Sequence, residues 1–465
     1  LSKNRIARQG LDLTLAPGEL LRRCAGEAYP FVLDGAGGAS WRGRQSFLGF
    51  APSAVLRIDA DGSTTLRCGT SVRALSGDPL ALLAEFVAEH HAADAPDDAA
   101  FVVAALSYDL RFAIERLRNA RPLPAKQPLL HAAAYDWLVV HDADRHAWEL
   151  RLRPGADIDL HAVAECVRQR AARVEPRRTA GFGGPLRPDF SPADHERGVR
   201  RALDYIAAGD IYQVNLAQRF TAAGPIDAPG LFEALQRRHP APFAACVDAG
   251  DFTLVSNSPE CFLQRDGDRL ATFPIKGTRP RAAGAEADAR LRAELVADAK
   301  ERAEHVMIVD LERNDLGRVC RTGSVVVPER MRVETFPSLH HLVSEVAGVL
   351  RPGVGLQEIL RATFPGGSIT GAPKIRAMEV IDELESGPRG FYTGAIGLLG
   401  PRWARLSIAI RTATVTSAGL VYHAGGGIVA DSEPRREYEE VLLKARPLAE
   451  VLSLAPAPPR TASAA

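Results

Sequence analysis

The chain has 465 residues, 46% of them hydrophobic and 25% charged, a composition that fits a soluble globular protein of two or three domain equivalents or one large composite core. Lys plus Arg matches Asp plus Glu at 57 each, so no net basic field gathers nucleic acid or anionic membrane, and a small-molecule substrate is the better expectation. The six cysteines (Cys24, Cys68, Cys166, Cys246, Cys261 and Cys320) contain no C-x-x-C pair, which speaks against structural zinc or a disulfide framework and for a reducing compartment.

The N-terminus, L-S-K-N-R, lacks the apolar centre of a signal peptide, and no apolar run approaches the ~20 residues of a membrane span, so the cytoplasm is the expected location. Short strand-like runs follow at Phe31–Leu33, Ala54–Ile58, Phe101–Leu106 and Trp137–Val140, with a helical stretch over Pro79–His90 among them. Residues 176–192 carry prolines and glycines without an apolar period and read as a linker or long connection. Ser191 and Pro192 then give an N-cap and a first helical position, Asp194 completes a capping box, and Val199, Ala202, Leu203 and Ile206 recur at helical spacing up to Gly209. A strand over Ile211–Phe220 puts Tyr212, Val214, Leu216 and Phe220 on one face and Gln213, Asn215 and Arg219 on the other; the polar face either lines a cavity or meets water.

In the strand-like Leu270–Ile275 and the turn after it, Lys276 stands before Gly277, either presented to a ligand as a nucleophile or exposed to solvent. Glu260, in S-N-S-P-E-C-F-L, opens a short strand beside apolar Cys261 and Phe262, a setting for a general acid or for a strand-edge carboxylate. Glu301 with Glu304, and Glu437 with Glu440, are spaced i, i+3, so each pair shares a helix face. Converging, they form a hard-oxygen site suited to Mg²⁺; apart, they are two solvated faces. P-G-G-S-I-T-G-A-P-K (365–374) precedes a helix with Pro373 at its first position and Ile375, Met378, Ile381 and Leu384 as its buried stripe, and the amides at its start suit a carboxylated ligand. No Gly-Lys-Ser/Thr follows the glycines, which excludes a nucleotide P-loop. Gly425–Gly427 let a ligand approach the backbone or mark a bulge, and Arg411 and Tyr392 are either carboxylate partners or structural residues.

Together these stretches resemble the chorismate-utilising enzymes, which include anthranilate synthase large subunits, aminodeoxychorismate synthase large components, isochorismate synthases and salicylate synthases. The resemblance runs from about Ser191 to Leu452 through I-Y-Q-V-N-L-A-Q-R, S-P-E, P-I-K-G-T-R, E-R-A-E-H, D-L-E-R-N-D-L-G, P-G-G-S-I-T-G-A-P-K, Y-T-G-A-I-G, I-R-T and G-G-G-I-V-A-D-S. It extends more loosely to S-Y-D-L (107–110) and W-R-G-R-Q-S-F-L-G (41–49). It implies an α+β fold, a composite of large antiparallel β-sheets packed in a sandwich and flanked by helices, as in anthranilate synthase large subunits. It also implies an N-terminal domain over residues 1–180 and a chorismate-binding catalytic domain over 185–455, while 456–465 reads as a disordered tail. By the same resemblance Glu304 and Glu440 ligate Mg²⁺, with Glu301 and Glu437 supporting through water. Thr278, Tyr392, Arg411, Gly426, Gly427 and Lys444 surround the substrate. Glu260 is the general acid, and His341 lines the pocket.

Two positions separate the subtypes. Isochorismate and salicylate synthases carry a water-activating lysine where this chain has Gln213, and an amide cannot act as that base. Lys276 stands where anthranilate synthases usually have alanine, so the resemblance is nearest to the aminodeoxychorismate synthase large components. The implied reaction joins Lys276 covalently to the ring while Glu260 protonates the departing hydroxyl; ammonia then displaces the lysine to give 4-amino-4-deoxychorismate. No Gly-x-Cys-x-Gly glutaminase element is present, so a separate glutamine amidotransferase is the expected ammonia source, and a separate lyase is expected to make 4-aminobenzoate for folate synthesis. The rivals are an anthranilate synthase large subunit and a non-catalytic homologue. Val32-Leu33-Asp34-Gly35 stands where tryptophan-inhibited relatives carry L-L-E-S, which weakens the case for amino-acid feedback.

Overall fold

The computed structural model describes residues 6–35, 44–91, 100–117, 121–173, 183–336 and 339–453. Strand Val102–Leu106 shows how they are layered. Its sequence, V-V-A-A-L, has no polar alternation, and all five residues are buried. Val103 and Ala105 face a core shared with Phe31, Leu138, Ala245 and Leu254 of the opposite sheet. Val102, Ala104 and Leu106 face a second core beneath helices Pro79–Glu89 and Leu356–Thr363. A strand enclosed on both faces reads as one apolar run because neither side of the pleat meets water.

Two antiparallel sheets of 12 strands each stack in this way. The outer face of the other sheet is covered by helices Pro17–Arg23, Leu160–Ala172, Ala228–Arg238 and Pro434–Leu452. The expected α+β sandwich flanked by helices is the architecture found. Segments 1–180 and 185–455 contribute to both sheets: Phe31–Asp34 pairs with Phe243–Asp248 in one, and Val102–Leu106 with Ala395–Leu399 in the other. All six cysteines are free, and among the described residues no helix is long and apolar enough to cross a membrane.

Local signals set several boundaries. The amide of Asp194 donates to Ser191 Oγ and that of Ser191 to Asp194 Oδ2, the reciprocal box that starts helix Pro192–Ala207. Within the stretch read as a linker, Arg187–Pro188 form a short strand against Phe220 and Thr221; residues 176–182 of it, Trp41 and the 456–465 tail lie outside the described residues.

Three local expectations are corrected. The strand expected from Ile211 is Gln213–Ala223, because its pairing with Gly371–Ala372 begins at Gln213; Tyr212 precedes it and is 71% exposed rather than on the apolar face. The helix after the glycine turn is Lys374–Leu384, with Pro373 as N-cap; its buried arc is Ala377, Met378, Val380 and Ile381, and Ile375 falls far round the helix, 46% exposed. Lys276 does not sit in a turn at a strand end. The run Leu270–Ile275 divides into strands Arg269–Thr272 and Ile275–Pro280, and Lys276 lies inside the second.

A buried ion pair ties strand Gln213–Ala223 to the turn at Ile369. Arg389 Nη2 meets Glu385 Oε1 at 2.6 Å, donates to Asn215 O at 2.6 Å, and through Nη1 donates to Ile369 O at 2.9 Å. Glu385 also accepts from the Ala217 amide at 2.9 Å. Glu385→Ala strands a guanidinium in the interior, and the expected loss of stability is about 3–5 kcal/mol in urea denaturation. A loss below about 1 kcal/mol would show instead that the carbonyls of Asn215 and Ile369 and the hydroxyl of Thr393, which also accepts from Arg389, suffice without the carboxylate.

Candidate active site

One wall is a strand pair in the first sheet. Gln213–Ala223 runs antiparallel to Gly419–Ile428, with Asn215 opposite Gly427 and Leu216 opposite Gly426. The other wall is the edge of the second sheet, where Ile275–Pro280 pairs with Leu339–Val349. In that ladder Lys276 lies opposite Leu342 and Thr278 opposite His341, so Gly277 is an extra residue. Its φ of 78° is open to glycine, and the resulting bulge re-aims the lysine. Lys276 Nζ comes within 3.2 Å of the point a Cβ on Gly427 would occupy, and Gln213 Nε2 reaches the same point at 3.2 Å. Glycine at 427 keeps that space open. Thr278 Oγ1 and His341 Nδ1 are 2.9 Å apart, so these two expected pocket residues meet beside Lys276.

The glutamate pairs sit on two helices, Ala299–Gly317 and Pro434–Leu452. Lys276 Nζ is 3.7 Å from Glu304 Oε2, and Arg279 is 3.6 Å from Glu301. On the second helix Lys444 Nζ is 2.7 Å from Glu440 Oε1 and donates to Gly425 O at 2.8 Å. A Cβ on Gly426 would lie 3.1 Å from Glu437 Oε2 and 3.7 Å from Glu440 Oε1, so this glycine lets both carboxylates approach the backbone. Burial, and then the charge of Glu304, push the Glu301 carboxyl above its usual range. Burial also raises Glu437, with Glu440 adding to it against a Ser432 hydrogen bond. Burial works to raise Glu440 too, but Lys444, and beyond it Lys276 and Lys300, bring it below its usual range. The two helices therefore share the field of Lys276 and Lys300. Among the described residues no three His, Cys, Asp or Glu side chains are drawn together at metal-holding distance; Glu301, Glu304 and Glu440 each face a cation of the chain, and Glu437 faces Ser432. The donor chemistry, four carboxylates of which two are half-buried beside a like charge, fits a hard divalent cation.

Glu260 is buried at the start of strand Cys261–Asp266. Ser368 Oγ, from the glycine turn, donates to its Oε1 at 3.1 Å, and the Asn215 amide donates to Thr370 O at 2.9 Å, tying that turn to the first wall. A second carboxyl, Glu312, accepts from Thr272 Oγ1 at 2.9 Å; burial, then the charge of Glu260, hold it well above the carboxylate range. Tyr392 is buried and stacks on His423 with ring centroids 5.2 Å apart. Arg411 is placed differently. It borders a small cleft with Asn257, Tyr422, Pro447 and Leu448, burial lowers its pKa, and no carboxylate of the described residues pairs with it.

Sequence reasoning did not single out Glu312, Arg389 or Ser368; it placed Gln213 on a polar strand face and used it to exclude water activation. A separate cavity of about 460 Å³ lies between the sheets, bordered by Leu33, Asp34, Gly35, Phe47, Arg151 and Trp403, and it shares no residue with the Lys276 cluster.

The family model described as chorismate binding enzyme matches residues 30–450. Anthranilate synthase component 1 of Pseudomonas putida is 37% identical, over 94% of this chain and 93% of that protein. Aminodeoxychorismate synthase component 1 of Bacillus subtilis is 35% identical, over 89% of this chain and 90% of that protein. The crystal structure of anthranilate synthase component I from Streptococcus pneumoniae superposes with a TM-score of 0.74 at 30% identity, covering 87% of this chain and 92% of that one.

Proposed function

The chain belongs to the chorismate-binding enzymes, and from that premise we propose that it aminates chorismate to 4-amino-4-deoxychorismate through a covalent bond to Lys276. The observation that carries the reading is the position of the Lys276 amine, on a bulged strand, beside Glu304 and over Gly427. In this reading the free amine of Lys276 bonds to the ring carbon allylic to the hydroxyl, and Glu260, oriented by Ser368, protonates the hydroxyl as it leaves as water. Ammonia then bonds where the hydroxyl was and the lysine departs. Thr278 and His341 shape the pocket beside the lysine, and Tyr392, stacked on His423, forms its far side.

Glu304 and Glu440 would hold magnesium, with Glu301 and Glu437 supporting them. When bound, the ion would neutralise these carboxylates and the ring carboxylate of the substrate. Gly426 and Gly427 give the substrate access to the backbone, Lys444 adds positive charge, and the uncompensated Arg411 offers a two-point partner for a carboxylate. A separate glutamine amidotransferase would supply the ammonia and a separate lyase would take the product to 4-aminobenzoate. The relatives named anthranilate synthase supply the second reading, release of 2-aminobenzoate and pyruvate. Incubation with chorismate, MgCl₂ and ammonium chloride, followed by mass spectrometry, separates the two. The expected product retains the enolpyruvyl group and yields 4-aminobenzoate only after a lyase is added. Pyruvate released in step with 2-aminobenzoate sinks the first reading and establishes the second.

A further inference from the structure

Gln213 is fully buried, and neither its Oε1 nor its Nε2 has a hydrogen-bond partner in the protein. A buried amide in that condition destabilises the fold unless a ligand completes it. The side chain is not at a frayed end: Gln213 pairs with Ala372, and Val214 with Gly371 and Ile428, so the backbone is held between two strands. Its Nε2 and the Lys276 amine converge on the gap left by the missing side chain of Gly427, each 3.2 Å from the same point. The orphaned amide therefore borders the space in which the lysine reacts.

We propose that Gln213 is the positioning residue for ammonia, an inference that rests on the amination reading above. Ammonia can donate one N–H to Oε1 and keep its lone pair for attack. A carboxamide suits this task because it neither takes the proton of water nor supplies one to ammonia. A carboxylate at the same place would favour ammonium, which has no lone pair. In the step served, the ammonia nitrogen forms its bond to the ring carbon. The bond from the ring to the Lys276 nitrogen breaks with its electron pair moving to that nitrogen, and one proton passes from the incoming nitrogen to the lysine. Lysine ends as the free amine, and no further reactant is needed.

The test uses the full chain with ammonium chloride as the nitrogen source, and the variants Gln213→Met and Gln213→Glu. For Gln213→Met the KM for ammonium should rise at least about tenfold, equivalent to about 1.4 kcal/mol, while the KM for chorismate stays within about threefold. The melting temperature without substrate should increase, because the orphaned amide has been removed. The lysine adduct should still form in the absence of ammonia, seen as a mass increase on the intact chain. Gln213→Glu should instead lose kcat with little change in the KM for ammonium. A fall in melting temperature with an unchanged ammonium KM would make Gln213 a structural residue and overturn the proposal; so would a rise confined to the KM for chorismate. If the wild-type chain forms neither adduct nor aminated product, the functional reading itself fails, a result distinct from an active wild type whose ammonium KM ignores Gln213.

Discussion

Lys276→Ala should lower the rate of chorismate amination by more than about 10³-fold, the scale on which loss of an attacking group falls when the rest of a site is intact. The fold should survive. Lys276 is the second residue of an edge strand, and its backbone pairing with Leu342 does not depend on the side chain. What the variant removes is the amine next to Glu304 and the gap at Gly427. Lys276→Arg is the sharper control, since it keeps a cation for Glu304 yet offers no free amine at working pH. Both variants should bind chorismate, and neither should gain mass when chorismate is added without ammonia. Amination by Lys276→Ala within about tenfold of wild type would mean that ammonia attacks the ring directly, and the covalent route would be abandoned.

The parts of this site that sequence makes legible are those whose signal is local. The i, i+3 glutamates, the capping box at Ser191 and the lysine of P-I-K-G-T-R need only a few neighbouring residues to be recognised. What eludes sequence depends on contacts between distant segments. The bulge at Gly277 exists because one residue is left over when Ile275–Pro280 pairs with Leu339–Val349, and no local pattern records that count. Glu312 was invisible for another reason: the buried face of helix Ala299–Gly317 carries His305, Glu312 and Asp315 as well as Ile308, Val309 and Leu316, so the usual contrast of an apolar and a polar face is lost. Arg389 and Glu385 look like an ordinary i, i+4 surface pair until carbonyls of Ile369 and Asn215 enclose them. Arg411 reads in the sequence as a cation near a strand end, but its φ of 51° is not legible there.

Glu260→Gln should lower kcat by about 10²–10⁴-fold with a small change in the KM for chorismate. The substitution keeps size, and an amide oxygen can still accept the Ser368 hydroxyl now 3.1 Å from Oε1, so the loss reports the acid proton and not the packing. Position favours Glu260 over its neighbour for this task. Its backbone is fixed at both ends, with the amide donating to Ser258 Oγ at 3.2 Å and the carbonyl accepting from Ile408 N at 3.1 Å, and Ser368 links its carboxyl to the glycine turn that joins the Gln213 wall. Burial favours the protonated form of Glu312, which keeps Thr272 as its hydroxyl partner. Glu312→Gln should therefore leave kcat within about tenfold, since it replaces one neutral hydrogen-bonding group by another. If the two variants exchanged these effects, the proton that releases the hydroxyl would belong to Glu312, and Glu260 would be its counter-charge.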